Sequence, residues 1–207
     1  MTDLQEAKRA HALASAKLAL RRRILTSRAV LNGGHRNAAG QRLRDAILEL
    51  PQCQMAGTVA AYYSVGTEPP THSLVYALWK RGTYVLLPRV RSDGTLDWAS
   101  YEGPDSLAQA GHGLLEPTAA GGRLITSADL IVVPALAADR RGNRLGRGRG
   151  FYDRALARVG PLIPTIALLY DGELLDEVPA GPLDHPVRMA AQPTAGVTPV
   201  SNDIREQ

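Results

Sequence analysis

The chain has 207 residues, of which 44% are hydrophobic and 21% charged, and it carries a net charge of +4. That length suits one α/β domain with room for a core, and the apolar content excludes a disordered chain. No run approaches the roughly 18 uncharged apolar residues of a spanning helix. The first residues lack the apolar centre and small-residue cleavage site of a signal peptide, so a cytoplasmic location is the expectation. The single cysteine, Cys53, excludes an intramolecular disulfide and a multi-cysteine zinc site, and reads as a small packed apolar residue. Basic residues are mostly arginine; the only lysines are Lys8, Lys17 and Lys80. A basic chain suits nucleic acid or a polyanionic small molecule equally, and charge alone does not choose between them.

Residues 3–28 are rich in strong helix formers and predict a first helix. Asn32-Gly33-Gly34 breaks it. A second helix is expected from about Asn37 to Leu50, stopped by Pro51. The apolar run Thr58–Tyr63 reads as a buried strand. A helix over Thr71–Arg81 follows, with Thr71 as N-cap. Strands are then expected over 83–87, ended by Pro88, over 96–101, and over 130–133, ended by Pro134. A Gly/Arg-rich loop fills residues 139–150 and leads into a helix over 151–159. Residues 162–169 read as a strand, and Pro164 places it at an edge or marks its first residues. The Pro-rich remainder is expected to be mostly irregular. No internal repeat or long linker is present. A single domain over 1–207 is expected, with N-terminal helices over about 3–50 and a sheet-containing core over about 57–194.

Strands alternating with helices predict an α/β fold, a mainly parallel sheet flanked by helices on both faces. Ligands of such sheets bind beyond the carboxyl ends of the strands. Two loops qualify, residues 64–70 and residues 135–150.

The second of these is the most informative segment. Gly146, Gly148 and Gly150 alternate with Arg147 and Arg149 immediately before a helix. Glycine lets backbone N–H groups turn toward an anion, a helix N-terminus adds positive potential, and Arg144, Arg147 and Arg149 add full charges. These are the parts of a phosphate cradle. No Gly-Lys-Ser/Thr ends the run, so it is not a Walker loop, and its G-x-G-x-G spacing is not the dinucleotide fingerprint. Asp153, just inside the helix, is either an acid that complements the helix dipole or a Mg2+ ligand; the residues alone leave both open.

The run Asp139-Arg-Arg-Gly-Asn-Arg-Leu-Gly-Arg-Gly-Arg-Gly-Phe-Tyr-Asp153 closely resembles the ATP-loop signature of the 5-formyltetrahydrofolate cyclo-ligase family. Weaker matches fall in the family's order. Lys17-Leu-Ala-Leu-Arg21 resembles its N-terminal Lys-x-x-x-Arg. Tyr62–Thr71 resembles its substrate loop, and Leu86–Val90 its next strand end. Gly113-Leu-Leu-Glu-Pro117 resembles its Gly-x-x-Glu-Pro turn, and Asp176–Asp184 its C-terminal motif. The likeness covers about residues 17 to 194.

The resemblance implies the three-layer architecture shared with sugar-phosphate isomerases and CoA transferases. It implies ATP- and Mg2+-dependent closure of 5-formyltetrahydrofolate, with or without a polyglutamate tail, to 5,10-methenyltetrahydrofolate by a monomer, with ADP and phosphate released. The formyl oxygen takes the γ-phosphoryl group, N10 attacks the formyl carbon and phosphate leaves, without a side-chain nucleophile. It implies ATP contacts at Lys17, Arg21, Arg144, Leu145, Gly146, Arg147, Gly148, Arg149, Gly150, Phe151 and Tyr152. Folate contacts are implied at Tyr63 and Glu68, since one carboxylate can accept both a pterin N–H and its adjacent amino group. Metal contacts are implied at Asp153 and Asp184. The chain departs from the family pattern at Arg188, where a second acid is usual, at Glu173, where glutamine is common, and at His112, where some relatives have an aromatic. Two other readings compete: a non-catalytic RNA-binding relative, disfavoured by the absence of an RNP-type aromatic motif, and an isomerase or transferase suggested by fold alone. No nucleic-acid or membrane partner is expected.

Overall fold

The computed structural model describes residues 3–200. Three helices come first: α1 (Asp3–Ala29), α2 (Gly33–Leu48) and α3 (Pro51–Met55). Then follow β1 (Thr58–Ala60), α4 (His72–Lys80), β2 (Tyr84–Val90), β3 (Leu96–Ser100), β4 (Leu107–Gln109) and β5 (Leu115–Pro117). The second half holds β6 (Leu130–Pro134), β7 (Ala137–Asp139), β8 (Arg144–Leu145), α5 (Phe151–Leu156), β9 (Thr165–Leu168), β10 (Leu174–Leu175), β11 (Met189–Gln192) and β12 (Gly196–Pro199). No helix among the described residues is long and apolar enough to cross a membrane.

The main sheet runs β12-β11-β9-β6-β1-β2-β3. Its four inner pairings are parallel, and only the outermost strands β12 and β3 run antiparallel. This is the mainly parallel α/β sheet expected. Side chains alternate across it. Leu130 and Val132 of β6 face the cluster holding Leu43, Ile47, Leu74 and Leu78 of α2 and α4; Ile131 and Val133 face the cluster holding Ala155 and Leu156 of α5. A strand buried on both faces must be apolar throughout, which is why Leu-Ile-Val-Val was readable as one. Cys53 is fully buried and packs in the apolar cluster, as expected, with the Arg81 guanidinium donating to its sulfur at 3.2 Å.

Several boundaries differ from those expected. The second helix starts at Gly33, because Asn32 adopts an extended conformation and its side chain caps the N–H of His35 at 2.9 Å. Pro51 opens α3 as its first residue, where its missing N–H costs nothing. β2 runs through Pro88 to Val90: its register with β1 ends at Leu86, so Pro88 pairs only with Trp98 of β3. β9 is an inner strand, not an edge; Pro164 stands just before it. The final segment is not irregular but forms β11 and β12, which extend the sheet to Pro199, beyond the expected limit near 194. The last helix is shorter than expected, ending at Leu156.

α1 touches the rest of the molecule along one stripe. Leu13, Lys17, Leu20, Arg21, Ile24, Leu25 and Arg28 are buried or half-buried at helical spacing, and most of the remaining positions are exposed. Ile24 is anchored in a small cluster with Leu136, Ala137 and Leu145 at the β7–β8 hairpin and Val178 after β10, flanked by Leu20 and Leu25. The same stripe therefore delivers three cations to the carboxyl end of the sheet.

Candidate active site

Beyond the carboxyl ends of β1, β2 and β6 lies a cavity of about 890 Å3. Every residue proposed above for ATP, folate or metal lies in its wall: Lys17, Arg21, Tyr63, Glu68, Arg144 through Asp153, and Asp184.

One side is the loop after β1. Thr71 was expected to cap α4, but its hydroxyl serves the loop: it donates to the Tyr62 carbonyl at 2.6 Å and accepts from the Ser64 N–H at 2.9 Å. α2 comes so close that a Cβ on Gly40 would lie 2.8 Å from Pro70. The loop is thus fixed from both ends. Glu68 is 9% exposed; it accepts from the Val65 N–H at 3.0 Å and from Arg147 Nε at 3.1 Å. Tyr63 stacks on His72 with ring centroids 4.0 Å apart. The opposite wall is apolar: Pro88, Val90, Leu96, Leu114 and Leu115. Glu116 ties this wall together by accepting from the Val90 N–H at 3.0 Å. The side chain of His112 lies outside the described residues.

The other side is the arginine–glycine segment, and it is less of a free loop than expected. Arg144 and Leu145 form β8, paired with β7. Leu145 is 1% exposed in the cluster under α1, so its side chain holds the segment in place. Arg144 is 4% exposed; it donates to the Pro134 carbonyl at 3.1 Å and to Asp153 at 2.7 Å. Only its buried Nε lacks a partner. Arg144 is therefore the strut of this segment, and Arg147 and Arg149 are its exposed cations. Gly148 (φ +101°) and Gly150 (φ +66°) bend the backbone in a way that disfavours other residues. Arg21 braces it from α1 by donating to the Gly146 carbonyl at 2.9 Å.

Both candidate metal ligands sit in ion pairs. Asp184 accepts from Lys17 through both oxygens, at 2.5 and 2.7 Å, and from the Gly181 N–H. Asp153 spends Oδ1 on Arg144 and keeps Oδ2 free of hydrogen bonds. No group of three or more His, Cys, Asp or Glu among the described residues could hold a metal. This donor set suits Mg2+ that arrives on phosphate oxygens, which needs one or two carboxylates and no all-protein cage.

A buried pair underlies the cavity floor. Arg28 grips Glu173 through two bonds of 2.7 Å and donates to the Ala135 carbonyl, also at 2.7 Å. Burial pushes the Glu173 carboxyl up, against the opposing pull of Arg28 and the Tyr170 N–H. Tyr170 lies under the Arg28 guanidinium and donates to the Glu68 carbonyl at 3.1 Å. Burial likewise raises Tyr62, Tyr63, Tyr152 and Tyr170 above their ordinary values, and pushes Tyr101 to about 12. All five are neutral phenols at physiological pH, able to donate a hydrogen bond but not to act as bases. Arg28 was missed in the sequence, and Glu173 was seen only as a departure. Pro134 and His185 complete the walls outside the loops and motifs singled out, and Ala135, Pro182 and Leu183 lie within them without having been named.

The family model of the 5-formyltetrahydrofolate cyclo-ligase family matches residues 13–193. The 5-formyltetrahydrofolate cyclo-ligase of Mycolicibacterium smegmatis is 44% identical over 147 residues, 68% of this chain and 75% of that protein. The Escherichia coli K12 protein of the same name is 29% identical over 160 residues, 75% of this chain and 88% of its own. Among solved structures, the Aquifex aeolicus 5,10-methenyltetrahydrofolate synthetase superposes with a TM-score of 0.78 at 27% identity, covering 92% of this chain and 95% of that one.

Proposed function

Because the chain belongs to the 5-formyltetrahydrofolate cyclo-ligase family, it closes 5-formyltetrahydrofolate to 5,10-methenyltetrahydrofolate, and we propose that it does so in this cavity at the expense of ATP. The observation that carries the reading is the 3.1 Å bond between Glu68 and Arg147, which brings the folate loop and the phosphate loop together. A formyl group held beside one and a γ-phosphate held on the other would then lie next to each other.

ATP supplies the phosphoryl group that turns the formyl oxygen into a leaving group. The residues here bind and orient. Glu68 gives up Arg147 to take the N–H and amino group of the pterin on its two oxygens. The apolar wall of Val90, Leu96 and Leu115 receives the aromatic middle of the folate. Backbone N–H groups at Gly146–Gly150, with Arg147 and Arg149, receive the phosphates and offset the charge that develops during transfer. Asp153 Oδ2, free of hydrogen bonds, would hold Mg2+ together with the phosphate oxygens. Catalysis on this reading is positioning plus charge stabilisation. Growth of methenyltetrahydrofolate absorbance with ATP and its absence without ATP is the test.

Two variants separate the binding halves. Glu68→Gln removes the charge and turns one acceptor into a donor. Each charge-assisted bond lost should cost about 1.5–3 kcal/mol, so the KM for folate should rise roughly ten- to hundredfold while the KM for ATP does not rise. An equal rise in both would place the defect in the fold. Asp153→Asn separates a metal ligand from a mere partner of Arg144. As a ligand, its loss raises the Mg2+ needed for half-maximal turnover and lowers kcat. As a partner only, it leaves the Mg2+ titration of the variant superimposed on that of the wild type.

A further inference from the structure

We propose that Tyr170 is a positioning residue for the pterin end of the substrate, its hydroxyl holding Glu68 in place through the backbone. This rests on the folate reading above and adds a residue that acts on the site from outside the motifs that mark it. Tyr170 does not line the substrate cavity, so it acts through Glu68 and not on the folate itself.

Glu68 is tied within its own loop and at two points outside it. Within the loop, its N–H donates to the Val65 carbonyl at 3.2 Å and its carboxylate accepts from the Val65 N–H at 3.0 Å. Packing does little to fix this turn: Gly66 has nothing within 4 Å of where a Cβ would stand. From outside, Arg147 reaches the carboxylate at 3.1 Å, and the Tyr170 hydroxyl donates to the backbone carbonyl, also at 3.1 Å. The substrate treats these two outer ties differently. A pterin that takes both carboxylate oxygens displaces Arg147 and leaves the carbonyl untouched. With folate bound, the Tyr170 hydroxyl is then the outer hydrogen bond that remains on Glu68 among the described residues.

Tyr170 is itself immobile. It follows β9 in the main sheet and is held at three places. Its N–H donates to Glu173 at 2.8 Å, its carbonyl accepts from Gln192 at 3.4 Å, and its ring centroid lies 5.3 Å from the Arg28 guanidinium carbon. Arg28 in turn clamps Glu173 through two bonds. A donor fixed in this way reaches its acceptor at little cost in conformational entropy, and it carries the rigidity of the sheet to a carboxylate on a loop. The buried Arg28–Glu173 pair thus gains a use in substrate binding: it sets the phenol that sets Glu68.

Tyr170→Phe removes one hydroxyl and keeps the ring beneath Arg28. The KM for 5-formyltetrahydrofolate should rise about three- to tenfold, the scale of one hydrogen bond, with kcat and the KM for ATP little changed. On a Glu68→Ala background no carboxylate is left to position, so Tyr170→Phe should add nothing to the folate KM. Amide hydrogen exchange gives a reading that needs no substrate: the Glu68 N–H should exchange severalfold faster in Tyr170→Phe than in the wild type. The proposal is overturned by an unchanged folate KM, by an equal rise in both KM values, by the full further rise on the Glu68→Ala background, or by equal exchange rates. Wild-type protein that fails to close 5-formyltetrahydrofolate gives a different result: it overturns the cyclo-ligase reading, and this proposal falls with it.

Discussion

Glu173→Ala is expected to lower the stability of the fold by about 3–5 kcal/mol, because it leaves the Arg28 guanidinium buried without a counter-charge. Arg28 is 1% exposed and spends Nε and one Nη on this carboxylate. No other carboxylate among the described residues is hydrogen-bonded to it: its other partner is the Ala135 carbonyl, and its second Nη is already unpaired. The loss also frees the Tyr170 N–H, which donates to Glu173 at 2.8 Å. Glu173→Gln, which keeps the shape and two hydrogen-bonding atoms, should cost markedly less. Urea unfolding of the three proteins gives the comparison, and a loss below about 1 kcal/mol for alanine, the scale of an exposed pair, would show that the pair is not closed to water as the geometry requires.

Gly148→Val is expected to weaken ATP binding about a hundredfold, equivalent to roughly 2–3 kcal/mol. Two effects act together. Gly148 holds φ at +101°, where a β-branched residue is strained. A Cβ there would also lie 3.2 Å from the Arg21 guanidinium carbon, so the side chain pushes against the arginine that braces Gly146. The backbone N–H groups can no longer converge on a phosphate, and Arg21 leaves its carbonyl. Because the position is exposed, the melting temperature without nucleotide should move little. Calorimetric titration with ATP measures the effect; unchanged affinity in a folded variant removes this segment from the nucleotide site.

The sequence made some of this legible and hid the rest for definable reasons. Leu130–Val133 was readable because a strand buried on both faces has no polar position. Met189–Gln192 was not, since it has no β-branched residue and sits between prolines; its strand character comes from pairing with β9 and β12. Pro164 left two placements open because a proline before a strand and one inside an edge strand look alike. In the site, the glycine spacing announced the phosphate segment, yet nothing local distinguished Arg144, a buried strut, from the exposed Arg147. Arg28 was the deepest omission. It ends a helix that also carries Arg21, Arg22 and Arg23, and its burial depends on a glutamate 145 residues further along the chain.

The bond between Glu68 and Arg147 also bears on how the two substrates meet. Each of these side chains is proposed to hold a different substrate, and each is partly occupied by the other. A pterin that draws Glu68 away leaves Arg147 free for phosphate, and a phosphate that draws Arg147 away leaves Glu68 free for the pterin. Whichever ligand arrives first meets the cost of separating the pair, and the second finds it already met. Thermodynamic linkage makes the benefit mutual: the factor by which bound ATP tightens folate equals the factor by which bound folate tightens ATP. The two affinities therefore rise together in the ternary complex, and an enzyme built this way holds ATP more loosely while no folate is present to consume it.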